Sequence, residues 1–400
     1  MASNDWPAHS TREVAWSQAY RSGPEADRRV TSITVAIPPR IASVSTAAVV
    51  DSAVATQLET AAAEIAALDR DLGQHLAGLQ AMLLRTEAVA SSKIEQIEAT
   101  SDDYIRALHG NRSNAAATEM AAGTEATRVL VNSVIPGGPI TLKSILGAHR
   151  ILMAADRHEQ LYAGRLRDMQ NWIGGSDHSP RNAAYIPPPA EFVAGAMDDL
   201  VAFANRDDLP ALAQAALAHA QFESIHPFTD GNGRIGRAVI NTVLRRRGLT
   251  QHAVVPLASA LVARRDAYFD LLATYRQGHA APIVMAFADA ARIAAAESRI
   301  TAAHVAALPH RWRDEIGRVR AGSAAHRLLD ALTALPAFSA ADVQDTIGGS
   351  LPSIYAAIEQ LITAGIAEPL TDRKRNQIWG VRTLLDELDD LSARIAARAR

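Results

Sequence analysis

Alanine and leucine recur at three- and four-residue spacing along most of this chain, the period of helices that bury one face. The pattern predicts helices from Ala47 to Leu84, Ala88 to His109, Ala115 to Val131, and Thr141 through Leu152, with Pro136-Gly137-Gly138-Pro139 ending the third. A further helix, Ala211 to Ile225, follows Asp207, Asp208 and Pro210, the acidic and proline signals of a start, and stops at His226-Pro227. The next, Arg234 to Arg247, closes at Gly248 after three arginines. Another begins at Arg264. Toward the C-terminus, Ala324 to Ala334, Ser339 to Ile347 and Pro352 to Ala364 read as three short helices.

Two regions break the helical period. Residues 1–44 are polar and irregular, with a β-prone run from Ile33 to Ile37, and are expected to pack as an arm across the core. Between Gly164 and Pro189, short β-prone runs at Trp172-Ile173 and Ala184-Tyr185-Ile186 flank a glycine- and serine-containing loop, which predicts a β-hairpin.

At 400 residues, 48% hydrophobic and 21% charged, the chain can form two or three globular domains with a sizeable core. A net charge of −3 implies no global attraction to nucleic acid or anionic lipid. The lack of cysteine excludes disulfides, thiolate zinc sites and a cysteine nucleophile. Met1 to Asp5 carry neither a basic nor an apolar leader region, and no apolar run approaches the ~20 residues of a membrane span. The expected compartment is the cytoplasm, with no membrane partner.

The chemistry is concentrated in His226-Pro227-Phe228-Thr229-Asp230-Gly231-Asn232-Gly233-Arg234-Ile235-Gly236-Arg237. Neutral His226, at a helix end, can accept a proton from an attacking hydroxyl at cellular pH. Asp230 supplies a hard oxygen ligand suited to magnesium, which uses one or two carboxylates and completes its shell with phosphate and water. Gly231 and Gly233 let backbone approach an anion, and the first-turn amides of the following helix face the same loop. Asn232 and the loop amides are expected to hold phosphate oxygens, with Arg234 and Arg237 projecting from one side to neutralise charge. Such a site works by positioning and electrostatics, with little covalent chemistry by the protein.

This segment resembles the signature of the Fic family, His-x-Phe-x-Asp/Glu-Gly-Asn-Gly-Arg-x-x-Arg, with every specified position filled. The resemblance, over about residues 1–300, implies a mainly α fold: a Fic-type helical core with a β-hairpin flap. It implies a protein adenylyltransferase that moves AMP from ATP, with Mg2+, onto a hydroxyl of a target protein. His226 would be catalytic, Asp230 the metal ligand, and Gly231, Asn232, Gly233, Arg234, Gly236 and Arg237 the nucleotide ligands. The family flap binds an extended target segment by main-chain pairing, here along Ile173 to Ile186. Phe269 and Leu272 match residues that border the adenine in relatives, although their spacing fits ordinary core equally well. A phosphotransferase branch carries lysine in the loop, where this chain keeps Gly233-Arg234.

Ser91-Ser92-Lys93-Ile94-Glu95-Gln96 resembles the inhibitory motif of the family, Ser/Thr-x-x-x-Glu-Gly/Asn, with Ser91 and Glu95 in place and Gln96 departing from it. In relatives this glutamate pairs with the second motif arginine, here Arg237, and fills the space of the ATP γ-phosphate. In some relatives it orients water instead, so removal of AMP from a modified protein is an alternative activity. At the C-terminus, three helices followed by the charged turn Asp372-Arg373-Lys374-Arg375-Asn376 and the run Gln377 to Val381 resemble a winged helix-turn-helix. Its third helix lacks lysine and arginine, which leaves DNA, protein contact and dimerisation all open as its role. A DNA-binding regulator that only senses nucleotide is the reading from a different class. The tail, with Leu384, Leu388, Leu391 and Ile395, either packs on its own domain or seals a homodimer. The expected division is an arm at 1–45, a helical region at 46–135, the catalytic core at 136–300, a winged helix at 322–381 and a last helix at 382–400.

Overall fold

The computed structural model describes residues 6–18, 22–45, 49–72, 77–156, 158–371 and 377–400. Its first elements are β1 (Ser10–Ala15), α1 (Glu25–Arg28), β2 (Ser32–Ile37), α2 (Ser52–Leu72), α3 (Ala77–Ile94), α4 (Ser101–Leu108), α5 (Ala115–Asn132) and α6 (Leu142–Met153). There follow α7 (Ala190–Ala204), α8 (Ala211–Ile225), α9 (Asn232–Arg246), α10 (Ala258–Ala263), α11 (Arg265–Arg276) and α12 (Ala281–Ile316). The last are α13 (Ala324–Ala331), β3 (Ala337–Ser339), α14 (Ala340–Ile347), α15 (Leu351–Thr363), β4 (Glu368–Pro369), β5 (Ile378–Gly380) and α16 (Arg382–Ala399). The mainly helical architecture follows the periodicity. The chain forms two compact units, one of Met1–Ala61, Glu125–Leu249 and Arg265–Asp289, the other of Ala62–Thr124, Thr250–Arg264 and Ala290–Arg400.

In the first unit α8 is the axis. Every residue from Leu212 to Ile225 is buried, and α7, α9 and α11 pack on it. A helix surrounded on all sides has no polar face to display, and its alanines permit close approach by its neighbours. Gly236 on α9 serves that approach: a Cβ there would lie 2.6 Å from Glu223 Oε1 and 2.9 Å from Phe222 Cδ1, both on α8. Gly236, expected in the phosphate cradle, thus also serves helix packing.

The arm begins with Trp6, buried against Phe203 and Tyr275. β1 and β2 pair antiparallel, from Ser10 with Ile37 to Ala15 with Ser32. Beyond its sheet, β2 reaches the 164–189 region, where the Ala36 amide donates to the Ile186 carbonyl at 2.9 Å. The two-stranded hairpin expected in that region is a single antiparallel bridge, Ile173 to Tyr185. Gly174 and Gly175 at φ 70° and 79° turn the chain directly after the bridge, and Pro187, Pro188 and Pro189 have no amide to extend a ladder.

In the second unit, α3 runs on through the break expected near residue 86, because Thr86, Glu87 and Ala88 are buried and continue its packed face. The chain leaves the helix only after Ile94, and α4 restarts at the N-cap Thr100, whose side chain accepts from the Asp103 amide at 3.1 Å. The C-terminal segment has the three short helices α13, α14 and α15 and an antiparallel sheet of order β3-β5-β4. Ile105, Ala337, Leu370, Ile378 and Leu385 form one buried cluster of this unit. The charged turn Asp372 to Asn376 lies outside the described residues. Leu384, Leu391 and Ile395 are buried on α16, which packs against α3 and α10. Arg394 and Arg398 of α16 pair with the buried Glu297 at 3.0 and 2.6 Å. Among the described residues no helix is long and apolar enough to cross a membrane.

Candidate functional site

The last turn of α8 delivers His226 into the site in an uncommon conformation. As C-cap it adopts φ 49°, ψ 61°, the left-handed region that a side chain with a Cβ enters only at a cost of about 1–2 kcal/mol. Arg167 holds it there. Its Nε donates to the His226 carbonyl at 2.8 Å, its Nη2 to the Pro188 and Ile225 carbonyls at 2.5 and 3.4 Å, and its Nη1 to Met169 at 2.9 Å. The Arg167 amide also donates to Pro227 at 2.9 Å. Burial lowers the Arg167 pKa to about 10, so the guanidinium stays charged at neutral pH. One cation thus ties the end of α8 to both ends of the 169–188 segment.

The loop after His226 is built on a second buried group. His149 of α6 stacks on Phe228 with ring centroids 3.7 Å apart and planes 3° from parallel. Its Nδ1 accepts the Gly164 amide at 2.9 Å, so Nε2 carries the proton and donates to the Asp230 carbonyl at 3.1 Å. Gly231, at φ 75°, then turns the chain into α9; a Cβ there would meet Leu152 Cδ2 at 2.7 Å. Gly231 is the N-cap of α9 and offers no side-chain acceptor, so the first-turn amides of Asn232, Gly233 and Arg234 have no acceptor within their helix and face the loop.

Asp230 is 54% exposed, and one carboxylate oxygen lies 3.3 Å from Arg234 Nη2. Arg234 and Arg237 are both buried. Asn232, expected as a phosphate ligand, is engaged within the loop: Oδ1 accepts the Phe228 amide at 2.8 Å, and Nδ2 donates to the Phe228 carbonyl at 2.9 Å. That reciprocal pair closes the turn. The expected adenine neighbours occupy different surroundings on α11. Leu272 is buried, whereas Phe269 is 39% exposed with the Arg265 guanidinium 4.9 Å from its ring centre. The adjacent Tyr268 is buried, with its hydroxyl 2.8 Å from His219 Nε2.

Burial, and then the charges of Arg167 and Arg276, hold the His226 pKa down at about 3. The ring is therefore neutral throughout the physiological range. Arg276 lies across the Tyr185 ring at 3.6 Å, and the Tyr185 hydroxyl donates to the Ser224 carbonyl at 2.7 Å, which anchors the bridge on α8. The arm braces the far end of the same segment. Buried Asp27 accepts from Ser179 Oγ at 2.7 Å and Arg181 Nε at 2.9 Å, contacts that hold its carboxyl below the usual range, and Trp16 packs edge-on to Trp172. The roles of Arg167, His149, Tyr185 and Arg276 were not expected from the sequence.

The inhibitory-motif residues lie in the second unit. Ser91 is buried on α3, Glu95 is exposed just past its end, and Gln96 takes φ 62°. Glycine or asparagine adopts that left-handed conformation most readily, which accounts physically for the family pattern at this position. Gln96 takes it without either residue.

Buried neutral histidines make acid destabilising. Burial depresses His149 to about 4 and His219 to about 3, each below the ~6.5 of an unfolded histidine. The unfolded chain then binds more protons than the folded one as pH falls from about 6.5 toward 4, so stability present above pH 6.5 is lost through that window. Each histidine contributes a slope of up to about 1.4 kcal/mol per pH unit. Melting temperatures should fall steeply between pH 6.5 and 4.5, and a His219→Gln variant should show a shallower fall; parallel curves would contradict the assignment.

Residues 139–244 match the model of the Fic/DOC family. The protein adenylyltransferase Fic of Drosophila erecta is 32% identical over 153 residues, which cover 38% of this chain and 28% of that protein. The protein of the same name from Aedes aegypti is 30% identical over 153 residues, 38% of this chain and 27% of its own length. The chain thus spans under a third of these curated relatives. Among solved structures, a Fic family protein from Desulfovibrio desulfuricans aligns with a TM-score of 0.52 at 22% identity, over 83% of this chain and 96% of that one. A Fic domain containing signaling protein from Bacteroides thetaiotaomicron aligns with a TM-score of 0.50 at 19% identity, over 62% of this chain and 97% of that one. These likenesses show the fold alone.

Proposed function

We propose that this chain, which belongs to the Fic/DOC family through residues 139–244, transfers AMP from ATP to a hydroxyl side chain of a target protein. The observation that carries the reading is a neutral, braced His226 beside a loop that leads into the N-terminus of α9 and two buried arginines. The α9 amides, Arg234 and Arg237 would receive the triphosphate, with Leu272 and Phe269 beside the base. Asp230 fits a magnesium ion held jointly with nucleotide phosphates: among the described residues no three carboxylates or histidines cluster, and its own carboxylate is solvent-accessible. Bound there, the ion would neutralise phosphate charge. Phosphate charge near His226 would also raise its pKa from about 3 toward the working range of a general base.

The target segment would pair with the outer edge of residues 172–174. Ile173 directs its amide and carbonyl to Tyr185, so in extended backbone those of Trp172 face the other way before Gly174, at φ 70°, turns the chain, while the far edge of the 184–187 run meets β2 at Ala36. Main-chain pairing presents a hydroxyl to His226 without reading the target's side chains. The winged-helix likeness of the C-terminal segment fits protein contact better than DNA. α15 exposes Leu351 at 46% and Tyr355 at 51%, together with Glu359, and carries no basic residue.

Glu95 would act as a brake by competing with the γ-phosphate for Arg237. Glu95→Gly should then raise AMP incorporation, and Arg237→Ala in the same background should lower it again, because Arg237 would serve both brake and phosphate. Incorporation of label from ATP labelled at the α-phosphate, measured for wild type, both single variants and the double variant, tests this as a non-additive cycle. Equal incorporation by wild type and Glu95→Gly removes the brake. No incorporation by any of the four removes the transferase.

A further inference from the structure

We infer that Asn171 is a positioning residue that decides which nitrogen of His226 takes the proton, and that its amide holds the place the target hydroxyl must enter. The inference deepens the proposed function and rests on His226 as the base. Asn171 Nδ2 lies 2.9 Å from His226 Nδ1 and 2.9 Å from the Phe228 carbonyl oxygen. Reversing this amide would set oxygen against oxygen at Phe228, so the nitrogen faces the imidazole. Asn232 gives the same answer independently. Its orientation is fixed by the reciprocal pair with Phe228, and the Nδ2 so oriented lies 3.2 Å from the same Nδ1. Two amide donors converge on Nδ1, which therefore holds the lone pair, and the neutral ring carries its proton on Nε2. Nε2 cannot be the base.

The target hydroxyl consequently has to reach Nδ1. There its O–H proton passes to Nδ1, its oxygen bonds to the α-phosphorus, and the bond from that phosphorus to the β-phosphate oxygen breaks to release pyrophosphate. The donor at that position is the Asn171 amide. Asn171 Oδ1 is buried and has no hydrogen-bond partner among the described residues, an unfavourable arrangement that an incoming donor would relieve. Asn171 also immediately precedes residues 172–174, beside which the target is proposed to lie, so seating the target and uncovering Nδ1 would be one event.

The discriminating variants are Asn171→Ala and Asn171→Asp. Aspartate is nearly isosteric but ionised can only accept, so it draws the ring proton to Nδ1 and moves the lone pair to Nε2. Asn171→Asp should lower kcat roughly 10²- to 10⁴-fold, the range for losing a general base, with KM for ATP little changed. Asn171→Ala should lose less, since Asn232 still donates. Because a carboxylate would also set oxygen against the Phe228 carbonyl, the ring tautomer, and not the activity order, separates positioning from a purely structural role. The tautomer can be read without turnover, by nitrogen NMR of the full chain labelled with 15N-histidine, with the His226 signals identified by their loss in His226→Ala. Wild type should show the Nε2–H form and Asn171→Asp an Nδ1-protonated ring. An Nδ1–H wild-type ring, or more activity in Asn171→Asp than in Asn171→Ala, would overturn the inference. The expected tautomers in a chain that transfers no AMP would support the positioning role and remove the transferase reading instead.

Discussion

His226→Ala should lower AMP incorporation roughly 10²- to 10⁴-fold while ATP affinity stays nearly unchanged, the pattern of a lost general base. The structure gives this variant a clean interpretation. What Arg167 holds at this position is the His226 main chain, through its carbonyl at 2.8 Å, and alanine keeps that carbonyl. The loop is closed by the pair of Asn232 with the Phe228 backbone and by His149 on Asp230, neither of which uses the imidazole. Activity lost far out of proportion to any fall in melting temperature is the expected result. A variant that transfers AMP at the wild-type rate would assign the base elsewhere.

The second large effect is structural. Arg167→Ala should cost about 3 to 5 kcal/mol, because it removes charged hydrogen bonds and leaves the buried carbonyls of Ile225, His226 and Pro188 short of a donor. It should also abolish transfer, since the left-handed His226 would lose its restraint. Arg167→Lys keeps the charge but not the planar fork, and should recover only part of the stability. A melt that barely moves in either variant would show that His226 is held by something else.

The difference between these two residues shows what the sequence could reveal. His226, Asp230, Gly231, Asn232, Arg234 and Arg237 lie within twelve positions, and their types at that spacing point to nucleotide chemistry before any fold is known. The helices that present them were equally legible. Ala211 to Ile225 was predicted with the bounds of α8, since proline marks its start and the histidine-proline pair its end. Arg167 and Asn171 lie 59 and 55 residues before His226, and an arginine donating to four carbonyls leaves no periodic or compositional mark. The same holds for His149, which looks like any helical histidine until Phe228 stacks on it. Gly236, inside a phosphate-binding motif, suggests a ligand from sequence; the structure adds that its missing Cβ makes room for Glu223 and Phe222. Around Ile173 the β-prone residues are legible, but three prolines and two left-handed glycines limit the ladder to one antiparallel bridge. Local pattern reports elements well, and pairings across sequence distance only where a motif repeats them.

The claim that this site moves AMP, rather than phosphate or nothing, is tested most directly by labelling ATP at either end. The Glu95→Gly chain is incubated with magnesium and ATP labelled at the α-phosphate or at the γ-phosphate, and protein-bound label is counted beside a Glu95→Gly, His226→Ala control. The proposed function predicts stable label from the α-position only, abolished in the control. Label from the γ-position, or α-label that persists without His226, would contradict it.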